Sequence, residues 1–523
     1  MASFPQAPIR LPRRFPLLAL AVFVGLAALL MTPTLGDMGG DSAQYLALAE
    51  SLAGGDGYRD SYLPGAPLHA HFPPGLPLLL LPVVALFGAQ AWLAAKILLL
   101  LLAVLGLGVA FLYLERRFGS WVALGSIALT ISSGGFLTTA VRIQSEMPYF
   151  LAAFLGLHWL ETSRPRHALV AGWSAFAIRL MGVASLLTWA LHAPRGSWKR
   201  RLTGFGLALL PLLLFQVYGR IWSQGTWGYR EELLDASGGL SGVPLHVLEG
   251  LRIQGLHLGR LLGDGVWVSQ GIWLQVLLAG LVLVGLVQCL RGGLRAGDTF
   301  FMTSFCLAIL APRPLERYLV PLLPLTAAYA LVCLRDLTSW LAELRRWRIS
   351  RPRAVQIAGL APFLLLLASH GHALTLLFGA RLEPATFDPP PLLAREAPTI
   401  DMVDWEEGWI FGRPGRVTSI RRSYADFLMV VALCAERLPA DAVLMAAKPR
   451  FVSYLTGLPC LPMPTRKRLG REEMLQSGAT HVLVDGLFAS TRSALPGGGD
   501  SLGLRSVATV RSCACFLLAG APE

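Results

Sequence analysis

The most informative shortage in this sequence is charge. Asp, Glu, Lys and Arg make up only 15% of its 523 residues, whereas 54% are hydrophobic. Soluble domains usually contain about one charged residue in four. The apolar residues also fall in long runs, and a run of about 20 residues crosses the hydrocarbon core of a bilayer. The composition therefore excludes an ordinary soluble domain and predicts an α-helical polytopic membrane protein.

Metal and redox motifs are also missing. None of the seven cysteines belongs to a CxxC motif or to a Cys/His spacing typical of zinc sites. Three of them, Cys289, Cys306 and Cys333, lie in or beside apolar runs, where cysteine behaves as a small hydrophobic residue. The other four lie in the C-terminal part of the chain: Cys434, Cys460, Cys513 and Cys515. If that part is extracytoplasmic, its compartment permits a disulfide among them.

The chain lacks a basic face interleaved with aromatic residues, although its net charge is +13. A nucleic-acid partner is therefore not expected. The Lys and Arg residues instead cluster in short segments between apolar runs, such as 195–201 and 335–353. Membrane proteins keep such clusters in cytoplasmic loops. We therefore expect these segments to be cytoplasmic.

Ten apolar runs are the candidates for membrane spans. They lie near 15–33, 91–114, 119–138, 147–161, 168–191, 203–219, 271–290, 298–311, 318–334 and 354–379. The first starts like a signal peptide, but no cleavage site with a soluble domain follows, so we interpret it as an uncleaved span. The run at 168–191 has Arg179 in its middle, which predicts two short spans meeting at that residue. The total is about 11 spans, with a cytoplasmic N-terminus and an extracytoplasmic C-terminus.

The composition changes near residue 381. A proline-rich linker at 384–391 precedes segments that alternate between helical and extended patterns. Helices are expected at Tyr424–Arg437, Phe451–Leu455 and Arg471–Gln476, and strands at Ala442–Ala446, His481–Asp485 and Ser506–Val510. This alternation predicts a small α/β domain with a parallel sheet. We therefore divide the chain into a transmembrane domain at 1–380, which contains a large loop at 34–90, and an extracytoplasmic α/β domain at 381–523.

The 34–90 loop carries most of the candidate chemistry. It begins with two carboxylates, Asp37 and Asp41, directly after the first apolar run. Asp41 and Tyr45 are four residues apart, so they lie on one side of the helix that Asp41 would open. The same position suits Asp41 as a helix N-cap, and the spacing does not decide between the two roles.

The middle of this loop reads His-Ala-His-Phe-Pro-Pro-Gly-Leu-Pro at 69–77. The prolines predict a turn into an apolar segment at 76–87, which is too short to span and is expected at the membrane interface or as a re-entrant helix. His69 and His71 could face one side of an extended strand and bind a metal ion or a phosphate. An ordinary surface position is the alternative for both.

Four segments, in chain order, carry a family resemblance. The first is the 34–90 loop, with its motifs at 41–45 and 73–77. The other three are Ser-Glu-Met-Pro-Tyr at 145–149, Ile-Arg-Leu-Met-Gly at 178–182 and Glu-Arg-Tyr-Leu-Val-Pro-Leu-Leu-Pro at 316–324. Together they resemble the C-type glycosyltransferases, a superfamily that includes protein O-mannosyltransferases and lipid A aminoarabinose transferases. The resemblance covers residues 15–335, and the stretch 442–485 is similar to the soluble outer domain of bacterial members.

Two positions depart from the family pattern. Ser42 stands where many relatives have a second, adjacent acidic residue. Phe72 stands where the aminoarabinose transferases have a lysine before the two prolines. Because of these departures, the resemblance does not imply that this chain shares the exact substrate or any metal ion of the aminoarabinose transferases.

The resemblance implies an inverting transfer of sugar from a polyprenyl-phosphate donor. It implies Asp41 as the general base, Glu146 as the second carboxylate and Asp37 as the fallback for either role. The groups expected at the donor phosphate are Arg179, Arg317, Arg142, His71, Tyr318 and Lys96. Interfacial anchoring is the alternative for Arg142 and Arg317, and snorkelling for Lys96. Tyr45 and His69 are the candidates for positioning the acceptor or the sugar.

The implied partners are the lipid-linked donor, membrane lipids and an acceptor that is a lipid, a glycan or a protein. The implied location is the inner (plasma) membrane. A divalent metal ion held by Asp41, Glu146 and His71 is permitted but not required, and no other cofactor is expected.

Two other functions fit parts of the sequence. A transporter of a lipid-linked or small polar solute is the main alternative, because charges within spans also mark transport paths. Transporters, however, often have repeated halves, and no internal repeat of fixed period is found here. A catalytically silent membrane scaffold whose outer domain binds a partner is the third interpretation.

Overall fold

A computed structural model describes most of the chain. The described residues are 14–31, 41–88, 91–193, 198–222, 229–263, 271–344, 363–371, 374–375, 414–463, 470–485, 504–510 and 513–518. Asp37 and the predicted linker at 384–391 lie outside them. We call the described residues of 14–375 the helical bundle and those of 414–518 the C-terminal unit.

The helical bundle begins with nine helices that lead to the candidate site. They are α1 Arg14–Leu30, α2 Asp41–Ala53, α3 Gly75–Phe87, α4 Ala91–Phe118, α5 Ser120–Ser132, α6 Gly134–Ala140, α7 Glu146–Glu161, α8 Pro165–Ile178 and α9 Val183–His192. The bundle continues with α10 Trp198–Trp222, α11 Tyr229–Ser237, α12 Val243–Gly263, α13 Ile272–Arg291, α14 Ala296–Ile309 and α15 Leu323–Leu344. Short 3₁₀ turns at Leu180–Gly182 and Glu316–Tyr318 precede α9 and α15.

Several of these helices have the length and composition of membrane spans. Within the described part of the chain, four qualify: Ala91–Phe118, Leu202–Trp222, Ile272–Arg291 and Glu316–Thr338. The pair α5 and α6, which meet at a 68° bend, would make a fifth. Shorter apolar helices lie at Phe15–Leu30, Gly75–Phe87, Leu180–His192 and Ala296–Ile309. The chain is therefore a membrane-type helical bundle, and the total of about 11 spans stays a prediction.

Two of the predicted runs are broken within the bundle. The run at 168–191 divides at Arg179, as predicted: α8 ends at Ile178, and Arg179 is extended before the next turn. The run at 119–138, predicted as one span, also divides. Ser133 is extended there, and its hydroxyl accepts a hydrogen bond from the Phe136 N–H at 3.4 Å. A serine in this position caps the new helix, so α6 starts in a new direction.

The interior of the bundle is closely packed, whereas its outside is apolar. Rings of Phe136, Phe150 and Phe154 meet edge to face within the buried core. Helices α13 and α15 approach so closely that a Cβ at Gly285 would lie 1.9 Å from the Tyr329 carbonyl oxygen. By contrast, α10 exposes leucines along its length. Exposed apolar side chains of this kind suit contact with lipid tails rather than water.

The C-terminal unit is a five-stranded sheet with three helices. Its elements are α16 Pro414–Arg437, β1 Leu444–Ala446, α17 Pro449–Thr456, β2 Cys460–Pro462, α18 Arg471–Gln476, β3 His481–Val484, β4 Arg505–Val510 and β5 Cys513–Leu517. The strand order is β2-β1-β3-β5-β4. The predicted parallel pairing holds for β1 with β2 and β3, but β5 is antiparallel to β3 and β4, so the sheet is mixed.

The predicted elements of this unit are observed, five of them with ends shifted by at most two residues, but α16 begins ten residues before the predicted Tyr424. Strands β2 and β5 were not predicted. Both are short, and both begin at a cysteine that is fully buried. All four C-terminal cysteines are buried. They pack as small hydrophobic residues between α16 and the sheet.

Candidate functional site

Asp41 lies at the start of α2, where its charge also suits the positive end of the helix. Both of its carboxylate oxygens contact arginines. Arg317 Nη1 lies 2.8 Å from Oδ2, and Arg450 Nη1 lies 3.4 Å from Oδ1. Asp41 is the first residue of the helix rather than the residue before it. An N-cap role would not account for either of the ion pairs that Asp41 makes with Arg317 and Arg450.

Glu146 opens α7 and is the most buried member of the cluster, with 1% of its side chain exposed. Its Oε1 lies 2.5 Å from Arg179 Nη1 and 3.9 Å from Arg317 Nε. Arg317 therefore lies between the two carboxylates, Asp41 and Glu146. Neighbouring Ser145 ties the group together, because its Oγ accepts hydrogen bonds from Tyr45 at 3.3 Å and from Arg179 at 3.0 Å.

Arg179 is held in place by close backbone packing on both sides. A Cβ at Gly75 would lie 2.5 Å from the Ala177 carbonyl oxygen, so only glycine lets the Pro-Pro-Gly turn reach the end of α8. A Cβ at Gly182 would lie 2.2 Å from the Phe176 nitrogen. The two glycines allow the loop and the 3₁₀ turn to close around Arg179. Two of the resemblance motifs thus meet in space.

Tyr318 lies beneath both central arginines. The Arg179 guanidinium is 5.2 Å from its ring centroid, and that of Arg317 is 5.9 Å away. The 3₁₀ turn that carries Arg317 and Tyr318 is fixed from the other side, where Glu316 pairs with Arg260 of α12 at 3.1 Å. The ring favours cations above its face, which helps to keep two like charges close together.

Charge balance in the cluster favours an ionised Asp41. Burial raises the pKa of the Asp41 carboxyl, but Arg317 and Arg450 lower it by more, so the pKa lies below its usual range. Burial, followed by the charge of Asp41, raises the pKa of the Tyr45 hydroxyl. Asp41 is therefore a carboxylate at neutral pH, while Tyr45 remains a neutral hydrogen-bond donor.

Arg450 is the member of the cluster that was not predicted. It comes from α17 of the C-terminal unit, where a Lys-Pro-Arg sequence opens the helix. Its guanidinium lies 5.0 Å from the ring centroid of Phe72 and 5.8 Å from that of Tyr62. A cation near the start of a helix is unfavourable, so this placement was a weak sign that Arg450 has a function. Nothing in the sequence, however, connects position 450 with position 41.

His69 supports the 34–90 loop and has no free ring nitrogen for an acceptor. Its Nδ1 lies 2.6 Å from Asp60 Oδ1, and its Nε2 accepts the Phe72 N–H at 2.8 Å. Asp60 also accepts a hydrogen bond from Gln44 at 2.8 Å. Burial lowers the pKa of His69, in opposition to Asp60. We therefore assign His69 to the structure of the loop rather than to acceptor positioning.

Replacing Asp60 with Leu should destabilise the loop. The change leaves the donors of Gln44 and His69 without an acceptor in a buried place, at about 1–3 kcal/mol for each unpaired group. The apparent thermal transition of the purified protein in detergent should fall by several degrees. Asp56→Asn, at an exposed position of the same loop, is the matched control. An equal transition temperature for both variants would contradict this role of the network.

The remaining predicted residues are Asp37, His71, Arg142 and Lys96. Asp37 lies outside the described residues. The His71 ring packs against Phe72, with 4.8 Å between the ring centroids. Arg142 and Lys96 are both buried, at 5% and 2% exposure, and each has interaction partners of its own.

The structure thus brings six predicted residues into one cluster: Asp41, Tyr45, Glu146, Arg179, Arg317 and Tyr318. Within the described residues, no group of three or more His, Cys, Asp or Glu side chains is placed to hold a metal ion. The two carboxylates of the cluster face guanidinium groups instead. The predicted metal candidates, Asp41, Glu146 and His71, therefore do not form a common ligand set.

Comparison with solved structures identifies the fold. The structure of ArnT from Cupriavidus metallidurans bound to undecaprenyl phosphate aligns with a TM-score of 0.50 at 14% identity, over 98% of this chain and 99% of that one. The apo oligosaccharyltransferase of Archaeoglobus fulgidus aligns with a TM-score of 0.50 at 12% identity, over 92% of this chain and 71% of that one. The chain has the C-type glycosyltransferase fold. No protein-family model matches the sequence, and no curated protein matches it.

The shared fold confirms the resemblance that the motifs predicted for residues 15–335, and the alignment with ArnT extends over 98% of the chain. At identities of 12% and 14%, the similarity to these structures establishes the fold alone. The roles of individual residues therefore rest on the geometry of the cluster itself.

Proposed function

We propose that this chain is an integral membrane glycosyltransferase that transfers a sugar from a polyprenyl-phosphate donor, with inversion, to an extracytoplasmic acceptor. The observation that carries the proposal is the cluster in which Asp41 and Glu146 meet Arg179 and Arg317 within a C-type fold. The undecaprenyl phosphate bound to ArnT, a structure that shares this fold, supports a lipid phosphate as the ligand.

The charge of the cluster suits a phosphate. Three guanidinium groups, from Arg179, Arg317 and Arg450, face two carboxylates, which leaves one positive charge in excess. Arginine binds phosphate oxygens through a planar fork of donors. A leaving polyprenyl phosphate would therefore find preorganised cations where its negative charge develops, and such preorganisation lowers the barrier of the transfer. We assign this role to Arg179 and Arg317.

Asp41 is assigned as the general base. The acceptor oxygen attacks the anomeric carbon, the acceptor proton passes to Asp41, and the bond between the anomeric carbon and the phosphate oxygen breaks. Arg317 Nη1 lies 2.8 Å from Asp41 Oδ2 and favours the ionised carboxylate. When the donor phosphate draws Arg317 away, Asp41 loses a neighbouring cation and becomes a stronger base. Donor binding would thus activate the base.

Helix α3 is assigned to the lipid part of the donor. It begins at the Pro-Pro-Gly turn beside Arg179 and is apolar along its whole length. Leu78, Leu86 and Phe87 are exposed on it. An exposed apolar helix that starts at a phosphate site can lie against a prenyl chain whose phosphate enters the cluster.

We further propose the orientation that the sequence predicts, with about 11 spans, a cytoplasmic N-terminus and an extracytoplasmic domain at 381–523, in the inner (plasma) membrane. Two observations support it. Helix α4 ends with Arg116 and Arg117, and α13 ends with Arg291, as expected for cytoplasmic ends. Asp41 instead opens a helix within the 34–90 loop, Glu146 opens the helix that follows the next turn proposed on the outer side, and the C-terminal unit contacts that same end through Arg450.

A transfer assay tests this function. Purified protein incubated with a panel of polyprenyl-phosphate sugars and membrane acceptors should move sugar from at least one donor and release polyprenyl phosphate in equal amount. Sugar nucleotides offered in place of the lipid donors should give no transfer. Flux of a solute into proteoliposomes without any lipid-linked donor, together with no transfer from the whole panel, would contradict the proposal and favour a transporter.

A further inference from the structure

The C-terminal unit touches the proposed active site through one helix. On α17, Arg450 and Tyr454 are four residues apart and therefore lie on one face. Arg450 Nη1 lies 3.4 Å from Asp41 Oδ1 at the start of α2. The Tyr454 hydroxyl donates to Glu50 Oε1 at 3.0 Å near the end of α2. Helix α17 is thus fixed along the helix that carries the proposed base.

Further contacts make this docking firm. Trp92 of α4 donates to the Tyr454 hydroxyl at 3.1 Å. The Cys460 N–H, at the start of β2, donates to the Tyr62 carbonyl at 2.7 Å. Apolar side chains of α2, α3 and α4 share one buried cluster with those of α16, α17 and the sheet. The position of Arg450 is therefore set by a broad contact and not by a single flexible side chain.

Two aromatic rings beside Arg450 favour a cation at its position. Its guanidinium lies over Phe72 at 5.0 Å and Tyr62 at 5.8 Å, and aromatic faces attract cations. The positive charge beside the Pro-Pro turn thus comes from a residue near the other end of the sequence.

We propose that Arg450 is a positioning residue for the transfer reaction, and that the C-terminal unit completes the active site by supplying it. The inference rests on the proposed function. Arg450 holds Oδ1 of Asp41, so Oδ2 is the oxygen that becomes available when Arg317 turns to the donor phosphate. Of the two arginines on Asp41, Arg317 would move between ligands and Arg450 would stay. The direction of the base toward the acceptor hydroxyl would thus be set by the C-terminal unit.

Three variants separate this role from docking alone. Arg450→Met should lower kcat about 10- to 100-fold, the loss typical of a charge-assisted contact, and leave the KM for donor close to that of the native chain. Arg450→Lys keeps the charge and should recover part of kcat. Tyr454→Phe is the matched control, because it removes the hydrogen bonds to Glu50 and Trp92 on the same face but leaves Arg450 on Asp41.

The pH profile is the readout that a purely structural role would not move. Removing the Arg450 cation raises the pKa of Asp41, so the acidic limb of kcat/KM should shift to higher pH in Arg450→Met. Arg450→Lys should return the limb toward its original position, and Tyr454→Phe should leave it there. An unmoved limb in Arg450→Met, or an equal shift in Tyr454→Phe, would overturn the proposal.

An infrared titration tests the same contact without sugar transfer. The carboxyl band of protonated Asp41 is identified by its loss in Asp41→Asn, and its midpoint is compared between the native chain and Arg450→Met. A higher midpoint in Arg450→Met is expected, and an equal midpoint would overturn the inference. If the native chain transfers no sugar from any donor, the proposed function fails, while this titration still decides whether Arg450 controls Asp41. Arg450→Gln, which also removes the cation, serves in both measurements if Arg450→Met does not fold.

Discussion

Asp41→Asn should reduce sugar transfer by about 10²- to 10⁴-fold, the usual contribution of a general base. The amide keeps the shape of the side chain but cannot take the proton of the acceptor hydroxyl. Arg317 and Arg450 lose a charged partner, yet they are 27% and 25% exposed and can be hydrated. The protein should therefore still reach the membrane in normal amounts. The rate is measured as kcat of the purified variant at saturating donor.

Asp56→Asn is the matched control for this substitution. It makes the same chemical change on the same loop, at an exposed residue, and should transfer sugar at the native rate. Transfer by Asp41→Asn at a rate within a few-fold of this control would remove Asp41 from the role of base. A loss of both activities would point to damage of the loop rather than to chemistry.

The double variant Arg179→Met with Glu146→Gln should bind bare polyprenyl phosphate about 10- to 100-fold more weakly than the native chain. Charge-assisted hydrogen bonds of about 1.5–3 kcal/mol account for that range. Binding of the bare lipid phosphate isolates the donor site, because no acceptor or base takes part. The measurement is a titration of detergent-solubilised protein with the lipid phosphate.

The single variants show why both changes are needed. Arg179→Met alone leaves the buried Glu146 without its partner at 2.5 Å, which should cost about 3–5 kcal/mol of stability. Adding Glu146→Gln removes that unpaired charge and should restore most of the thermal transition, but not the binding. Glu146→Gln alone keeps Arg179 and should bind the lipid phosphate nearly as well as the native chain. Native-like binding by the double variant would reject Arg179 as a phosphate ligand.

Local pattern was sufficient for the part of the site that lies within the bundle. Helical spacing put Asp41 and Tyr45 on one side, and both face the cluster. The cost of a charge within an apolar run predicted the break at Arg179, where the chain does become extended. The order of the four resemblance motifs predicted a common site, because every second turn between membrane-spanning helices lies on the same side of the bilayer.

Contacts between segments that lie far apart in the chain could not be predicted from local sequence patterns. Arg450 lies 409 positions after Asp41 in the chain, and its place depends on how the C-terminal unit docks on α2. His69 was a candidate for positioning the acceptor or the sugar, with an ordinary surface position as the alternative, but its buried ring lies within the loop, 2.6 Å from Asp60 Oδ1. The break at Ser133 was missed since the apolar run continues through it, and hydropathy does not register a serine cap.

The anomeric configuration of the transferred sugar tests the central claim most directly. In a single displacement with Asp41 as base, the acceptor oxygen attacks the face opposite the leaving phosphate. The product of a single turnover, compared with the donor by NMR of the anomeric proton, should therefore have the inverted configuration and should not form with Asp41→Asn. A product with retained configuration, or one formed equally by Asp41→Asn, would contradict the mechanism proposed for this site.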